Sequence, residues 1–286
     1  MDRNNKKLYV LVTGASRGIG EASALYLDKL GFIVFAGIRK EEDGLKLKKN
    51  SSNRIMPVYL EVTDSQSIEK AARTVSNEVG EHGLYGLVNN AGIAIAGPLE
   101  LIPVDKIREQ FEINVVGQIA IIQTFLPLLR KANGRIINIS SKEGLLATPF
   151  VGPYCAAKFA MEAFSDVLRI ELKPWKIPVS IIEPGVVATQ LPRKSLNDAE
   201  ILISQLPGQA SDLYNSCIAN VRGIAENIIN SAISADKVAI TIAKALTASK
   251  PKNRYVVGGD ARLIAFLAKF VPEWLRDRMI IKQLKI

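Results

Sequence analysis

Several kinds of active site are excluded by what this sequence lacks. It has a single histidine, His82, in the loop Gly80-Glu81-His82-Gly83, so a serine–histidine triad is improbable and a surface residue is the better reading. Cysteine is limited to Cys155 and Cys217, with neither zinc-ligand nor disulfide-framework spacing, and a reducing compartment suits that usage. Aromatic residues make up only 6% of the chain. The basic residues are scattered and not interleaved with them, so no nucleic-acid partner is expected. No run of eighteen apolar residues occurs, so no membrane span is expected. Asp2, Arg3, Lys6 and Lys7 lead straight into an apolar strand pattern with no cleavage site, which points away from a secretory signal and towards a cytoplasmic location. No Pro/Gly/Ser-rich stretch divides the chain, so residues 1–286 are expected to form one domain.

What is present is a globular composition, 48% hydrophobic and 23% charged, with a net charge of +9. That charge favours anionic partners such as phosphates or an acidic membrane surface without naming one. Short β-rich runs alternate with longer helical patterns. Strands are predicted at Leu8–Thr13, Ile33–Gly37, Ile55–Glu61, Gly86–Asn89, Arg135–Ser140, Val179–Glu183 and Arg254–Val257. Helices are predicted at Ile19–Leu30, Ser65–Val79, Pro103–Lys131, Tyr154–Lys173 and Ala235–Ala248. This order predicts an α/β doubly wound fold with a seven-stranded parallel sheet, its ligand lying outside the carboxyl ends of the strands. Thr13-Gly14, Asn89-Asn90-Ala91-Gly92, Ser140-Ser141 and Glu183-Pro184-Gly185 all fall at such ends. Residues 190–234 interrupt the βα rhythm and are read as a helical lid after the sixth strand.

Thr13-Gly14-Ala15-Ser16-Arg17-Gly18-Ile19-Gly20 joins the first strand to the first helix. Its glycines permit a tight turn and close approach of a diphosphate, and the helix N-terminus supplies N–H groups to it. With Asn89-Asn90-Ala91-Gly92, this turn resembles the paired signature of the short-chain dehydrogenase/reductase family, and the resemblance runs along essentially the whole chain. The resemblance implies dinucleotide contacts from Gly14, Ser16, Gly18, Ile19 and Gly20, from Asn90 and Gly92, and from Pro184, Gly185, Val187 and Thr189. Glu61 and Val62 fall at the adenine contact, Glu61 replacing the family's usual aspartate. Where an NAD-binding chain places an acid after the second strand, this one has Ile38, followed by Arg39. Arg39 and Arg17 would pair with a 2′-phosphate, so NADP(H) is favoured over NAD(H).

Tyr154 and Lys158 are four residues apart, hence on one face of a helix. Ser141 lies thirteen residues before Tyr154 at a strand end, and Asn114 lies within the long preceding helix. These match the family's catalytic Asn–Ser–Tyr–Lys set. The resemblance implies Tyr154 as general acid in reduction and general base in oxidation, with Ser141 holding the substrate oxygen. Lys158 would bind the nicotinamide ribose and lower the tyrosine pKa, and Asn114 would support a water leading to solvent. The segment from Tyr154 to Arg169 resembles the branch containing retinol, 17β-hydroxysteroid and 3-hydroxybutyrate dehydrogenases.

The expected activity is therefore the interconversion of a carbonyl and a secondary or primary alcohol by hydride transfer. Leu191, Ile201, Leu202, Ile203, Leu206, Leu213 and Tyr214 give the lid apolar area for a lipophilic substrate such as a retinoid or steroid. An NAD-dependent dehydrogenase of a small hydroxy acid such as 3-hydroxybutyrate is the alternative, and a non-catalytic dinucleotide-sensing protein is a third reading. The C-terminal stretch 260–286 mixes Phe266, Phe270 and Trp274 with Lys269, Arg276, Arg278 and Lys282. It is read as an amphipathic segment, packing on its own domain or on a sister subunit or making peripheral membrane contact. A homodimer or homotetramer through Pro103–Lys131 and Tyr154–Lys173 follows from the resemblance alone.

Overall fold

The apolar runs read as strands carry side chains that are buried on both faces of a sheet, as parallel strands covered by crossover helices require: Val10, Leu11 and Val12, then Val34, Phe35 and Ala36, are wholly buried. In the computed structural model, which describes residues 7–204 and 214–284, β1 (Tyr9–Val12), β2 (Ile33–Ile38), β3 (Ile55–Tyr59), β4 (Gly86–Asn89), β5 (Arg135–Ile139), β6 (Val179–Pro184) and β7 (Arg254–Val257) form one sheet. Its order is β3-β2-β1-β4-β5-β6-β7, and every pairing is parallel. The direction of winding reverses between β1 and β4, which opens a crevice there.

Helices cover both faces. On one, α1 (Gly18–Lys29) and α9 (Ala235–Thr247) set Leu27, Val238, Ile242 and Leu246 against Val10, Val34 and Ile137. On the other, α3 (Ser65–Val79) and α5 (Gly117–Ala132) bring Ile68, Val75, Ile121, Phe125 and Leu129 onto Leu11, Phe35 and Leu87. Beside this layer lies α6 (Gly152–Glu171), whose Ala157 and Met161 pack on Val115, just before α5.

Three local features differ from the sequence reading. Helix α2 (Glu41–Lys49) went unread because Leu45 and Leu47 are its only large apolar residues. Acids in its first turn and lysines in its last complement the helix dipole, and Gly44 lets it close onto Ile38 and Pro57. The helix expected over Pro103–Lys131 is α4 (Val104–Phe111) and α5 joined by a π-helical turn, Glu112–Val116. The resulting rod, Val104–Ala132, is long and apolar enough by length and composition to cross a membrane. Here Ile121, Ile122, Phe125 and Leu129 turn that apolar face onto the sheet. The C-terminal segment is two helices, α10 (Gly259–Phe270) and α11 (Glu273–Leu284). Pro272 ends the first by forcing Val271 into extended backbone, φ −102° and ψ 129°.

Beyond β6 the chain forms α7 (Gln190–Ser204) and α8 (Asn215–Asn230) before returning to α9. Val187 pairs with Ile233 across the base of this excursion. Leu206 and Leu213 lie outside the described residues, as do the side chains of Ile203 and Cys217.

Candidate active site

The glycine-rich turn takes its shape from β1 on one side and β4 on the other. Thr13 Oγ1 accepts the N–H groups of Asn90 (2.9 Å) and Ala91 (3.0 Å), and Asn90 Nδ2 donates to Thr13 O (2.9 Å) and Gly14 O (3.1 Å). Asn90 thereby ties adjacent strand ends together. Gly14 (φ +63°) and Gly18 (φ +61°) use left-handed backbone, and a Cβ on Gly14 would meet the Ala91 backbone at 2.9 Å. At the N-terminus of α1, Arg17 contributes no side-chain cap, so the first N–H groups keep their capacity for an anion. A glycine cradle with an uncapped helix end fits a dinucleotide diphosphate.

One crevice is lined by Ile19, Asn90, Gly92, Asn114, Ser141, Tyr154, Lys158, Pro184 and Gly185, together with Leu191 from the lid. The four expected catalytic positions therefore share a wall with residues expected at the dinucleotide. Others stand apart from that wall. Ser16 is half-buried within the turn, and Gly20 lies where a Cβ would come 2.2 Å from Gly14 O. Val62 is buried in the core, leaving its backbone for any ligand contact. Val187 is buried too, and Thr189 rests on Gly18. Arg39 pairs with Glu61 at 3.3 Å, and Arg17 donates to Gln190 at 3.0 Å.

The floor of the crevice is held by backbone. Lys158 Nζ donates to Ile139 O at 2.7 Å and lies 5.5 Å from the centre of the Tyr154 ring. Asn114, on the π-helical turn, accepts from Ile93 N (2.9 Å) and donates to Ile93 O (2.9 Å). Its side chain therefore fixes the loop after β4, and π turns recur at such functional positions. Ser141 lies two residues beyond β5 and hydrogen-bonds Glu143.

Electrostatically the site differs from expectation in one respect. Burial pushes the Tyr154 phenol up, the Glu143 charge adds to this, and a hydrogen bond to Ser141 opposes it. Burial likewise brings Lys158 down to about 8 against the opposing charges of Glu162 and Glu143. The lowering of the phenol expected from Lys158 is therefore not the net direction in the protein alone, where desolvation penalises both charged forms.

Two contributors were missed in the sequence. Glu143 sits two residues beyond Ser141 on the turn Lys142–Gly144. An acid just past a strand-end serine was the available signal. Asp260, in the first turn of α10 after Gly258, accepts from Val186 N (3.0 Å) and Lys142 Nζ (3.1 Å). It locks the loop after β6 to the turn after β5, and a Cβ on Gly185 would fall 1.9 Å from its carboxylate.

The family model described as short chain dehydrogenase matches residues 8–200. Retinol dehydrogenase 5 of Homo sapiens is 37% identical over 280 residues, covering 95% of this chain and 87% of that protein. The NADPH-dependent 3-dehydrocapnine reductase of Ornithobacterium rhinotracheale is 33% identical over 282 residues, 97% of both proteins. A short-chain dehydrogenase structure from Streptomyces avermitilis superposes with a TM-score of 0.76 at 26% identity, covering 100% of this chain and 97% of that one.

Proposed function

The chain belongs to the short-chain dehydrogenase family and is an NAD(P)-dependent oxidoreductase acting on CH–OH groups, and we propose that it interconverts the carbonyl and alcohol forms of a lipophilic molecule with NADP(H). The observation that carries this is the convergence of Ser141, Tyr154 and Lys158 with Asn90, Gly92 and Ile19 on one crevice. NADP(H), when bound, supplies or takes the hydride. Tyr154 gives the proton to the carbonyl oxygen in reduction and removes it in oxidation, Ser141 orients that oxygen, and Lys158 holds positive charge beside the phenol. The raised phenol keeps its proton, as a donor in reduction requires.

The preference for NADP(H) rests on Arg39 and Arg17. Both are exposed and engaged only in surface contacts of a kind worth about 1 kcal/mol or less, so a 2′-phosphate can displace Glu61 and Gln190. An NADPH-dependent relative points the same way. A lipophilic substrate is supported by Leu191 in the crevice wall and by the contacts of the lid with the loops that follow β4 and precede α6. There Tyr214 donates to Glu100 at 2.6 Å and meets Phe150 edge-on at 6.4 Å, while Leu202 reaches Gly97.

Two surfaces extend the reading. Exposed Phe159, Phe164, Val167 and Ile170 along α6 suit self-association into a dimer or tetramer. Exposed Leu263, Phe266, Phe270 and Trp274 beside Lys269, Arg276 and Arg278 suit contact with an anionic membrane surface. The direct test is consumption of NADPH and NADH with retinal, a ketosteroid and acetoacetate. Faster turnover of the bulky carbonyls with NADPH is expected. Preference for acetoacetate with NADH would replace this proposal with the small hydroxy-acid alternative.

A further inference from the structure

A proton that Tyr154 gives away in one reduction must be replaced before the next. Asn114 and Lys158 are buried, with the Asn114 side chain committed to Ile93 and Lys158 Nζ to Ile139 O. Ser141 opens a different route. Tyr154 is hydrogen-bonded to Ser141, the Ser141 hydroxyl donates to Glu143 Oε2, and Glu143 N–H donates back to Ser141 Oγ at 3.3 Å. A serine has one proton to give. With that proton on Glu143, the phenol must be the donor to Ser141 Oγ, so the O–H groups of Tyr154 and Ser141 point the same way along one chain. Its far end reaches solvent, because Ser141 is 5% exposed while the Glu143 side chain is 16% exposed.

Capping alone does not account for the carboxylate. To cap the turn Lys142–Gly144, Ser141 needs only to accept from Glu143 N–H. Charged groups face the carboxylate from three sides. Lys142 Nζ is 3.9 Å from Glu143 Oε1 and is shared with Asp260 at 3.1 Å, and the charge of Lys158 acts on Glu143 from α6. On the same helix, Tyr154 and Cys155 are both pushed up by burial and by the Glu143 charge. Glu143 thus stands between cations as an acceptor, one serine away from the phenol.

We infer that Glu143 is the proton inlet of the site and resupplies Tyr154 through Ser141 after each reduction. This rests on the oxidoreductase reading above and adds a step to it. In reduction, hydride passes from NADPH to the carbonyl carbon and the phenol proton to the carbonyl oxygen, which leaves a phenolate. While the substrate oxygen occupies Ser141 the chain is interrupted, so resupply falls between turnovers. Once the alcohol has left, the Ser141 hydroxyl proton moves to the phenolate, Glu143 passes a proton taken from water to Ser141 Oγ, and the carboxylate is regenerated. The net change is one proton from solvent onto Tyr154, with no change of oxidation state. An ordinary carboxyl group is a far stronger acid than a phenol, so transfer from Glu143 to Tyr154 runs downhill. It ends with the Ser141 hydroxyl donating to the carboxylate, the arrangement seen here.

The test compares the first turnover with later ones, by stopped flow with the full chain, excess NADPH and whichever of retinal, the ketosteroid and acetoacetate is reduced fastest. Glu143→Gln keeps the shape of the side chain and removes the acid. Its first turnover should stay within about threefold of the wild type, because Tyr154 starts protonated, and its steady state should fall by roughly 10²-fold, the low end of what a positioned acid contributes. NADPH oxidation then shows a burst of one equivalent per site, and the slow phase quickens with the concentration of a buffer acid such as imidazolium. Glu143→Ala should show the same burst, with added formate restoring the steady state. A first turnover that falls together with the steady state reduces Glu143 to a support for Ser141 and overturns the proposal. A steady state at the wild-type rate in both variants also overturns it, and in either case the oxidoreductase reading stands. If the wild type reduces none of the three carbonyls although NADPH binds, both fail.

Discussion

The floor and the rim of the crevice are built in opposite ways. On the floor, Asn114, Ser141 and Lys158 are 1%, 5% and 6% exposed, and backbone partners hold two of them, Ile93 for Asn114 and Ile139 for Lys158. On the rim, Arg17 and Arg39 stand in solvent and bond to side chains, Gln190 and Glu61, that a ligand can replace. Buried polar groups must be satisfied by the fold itself, so the floor is fixed before any ligand arrives. The rim keeps its choice of partner open. On the proposed function, the reaction class belongs to the first region and the choice of dinucleotide to the second.

The sharpest way to break this division is at Ser141. Ser141→Ala is expected to lower kcat by on the order of 10²- to 10³-fold, the usual cost of one oxyanion-side donor, with dinucleotide affinity little changed by fluorescence titration. A loss confined to KM would place Ser141 with the rim.

Beneath the floor, Arg254 meets Glu183 (3.2 Å), Glu162 (3.2 Å) and Asp166 (2.8 Å). Burial, with the charge of Glu162 behind it, pushes Glu183 up to about 7 from its ordinary 4.5. The folded chain therefore keeps a proton that the unfolded chain has released, and stability falls as pH rises from about 4.5 to about 7. Glu183→Gln should remove that fall, worth on the order of 3 kcal/mol, measured as Tm against pH. A Tm profile in Glu183→Gln parallel to the wild type would show that another group carries it.

At the rim, Arg39→Ala should weaken NADPH binding by about 10-fold, one lost charge-assisted contact, and leave NADH binding unchanged. Equal effects on both dinucleotides would remove Arg39 from the phosphate. The smallest effect is expected furthest from the crevice, where Trp274→Ala should reduce flotation with anionic liposomes severalfold through lost apolar burial. Absence of the wild type from the liposome fraction would leave α10 and α11 to protein contacts.

The same division explains what was legible in the sequence. The strands could be read because Val10-Leu11-Val12 and Val34-Phe35-Ala36 must be apolar to be buried on both faces. Tyr154 and Lys158 could be read because helical spacing fixes their common face. Helix α2 could not, since charge at its ends and the fit of Gly44 against Pro57 substitute for an apolar stripe. The break between α10 and α11 was written in Pro272, but the amphipathic pattern runs across it. The direction of the Tyr154 shift was hidden because it depends on burial and on Glu143, whose contact with Ser141 exists only once β5 has turned. Likewise, nothing local in the sequence announces that Asp260 closes over Gly185.

The most direct test of the whole arrangement is reduction of a carbonyl substrate with NADPH deuterated at C4 of the dihydropyridine, in the wild type and in Tyr154→Phe. The expected result is deuterium on the carbinol carbon with the wild type, and a rate lower by roughly 10²- to 10⁴-fold in the variant, whose dinucleotide affinity stays close to normal. Near-normal deuterium transfer by Tyr154→Phe would contradict it.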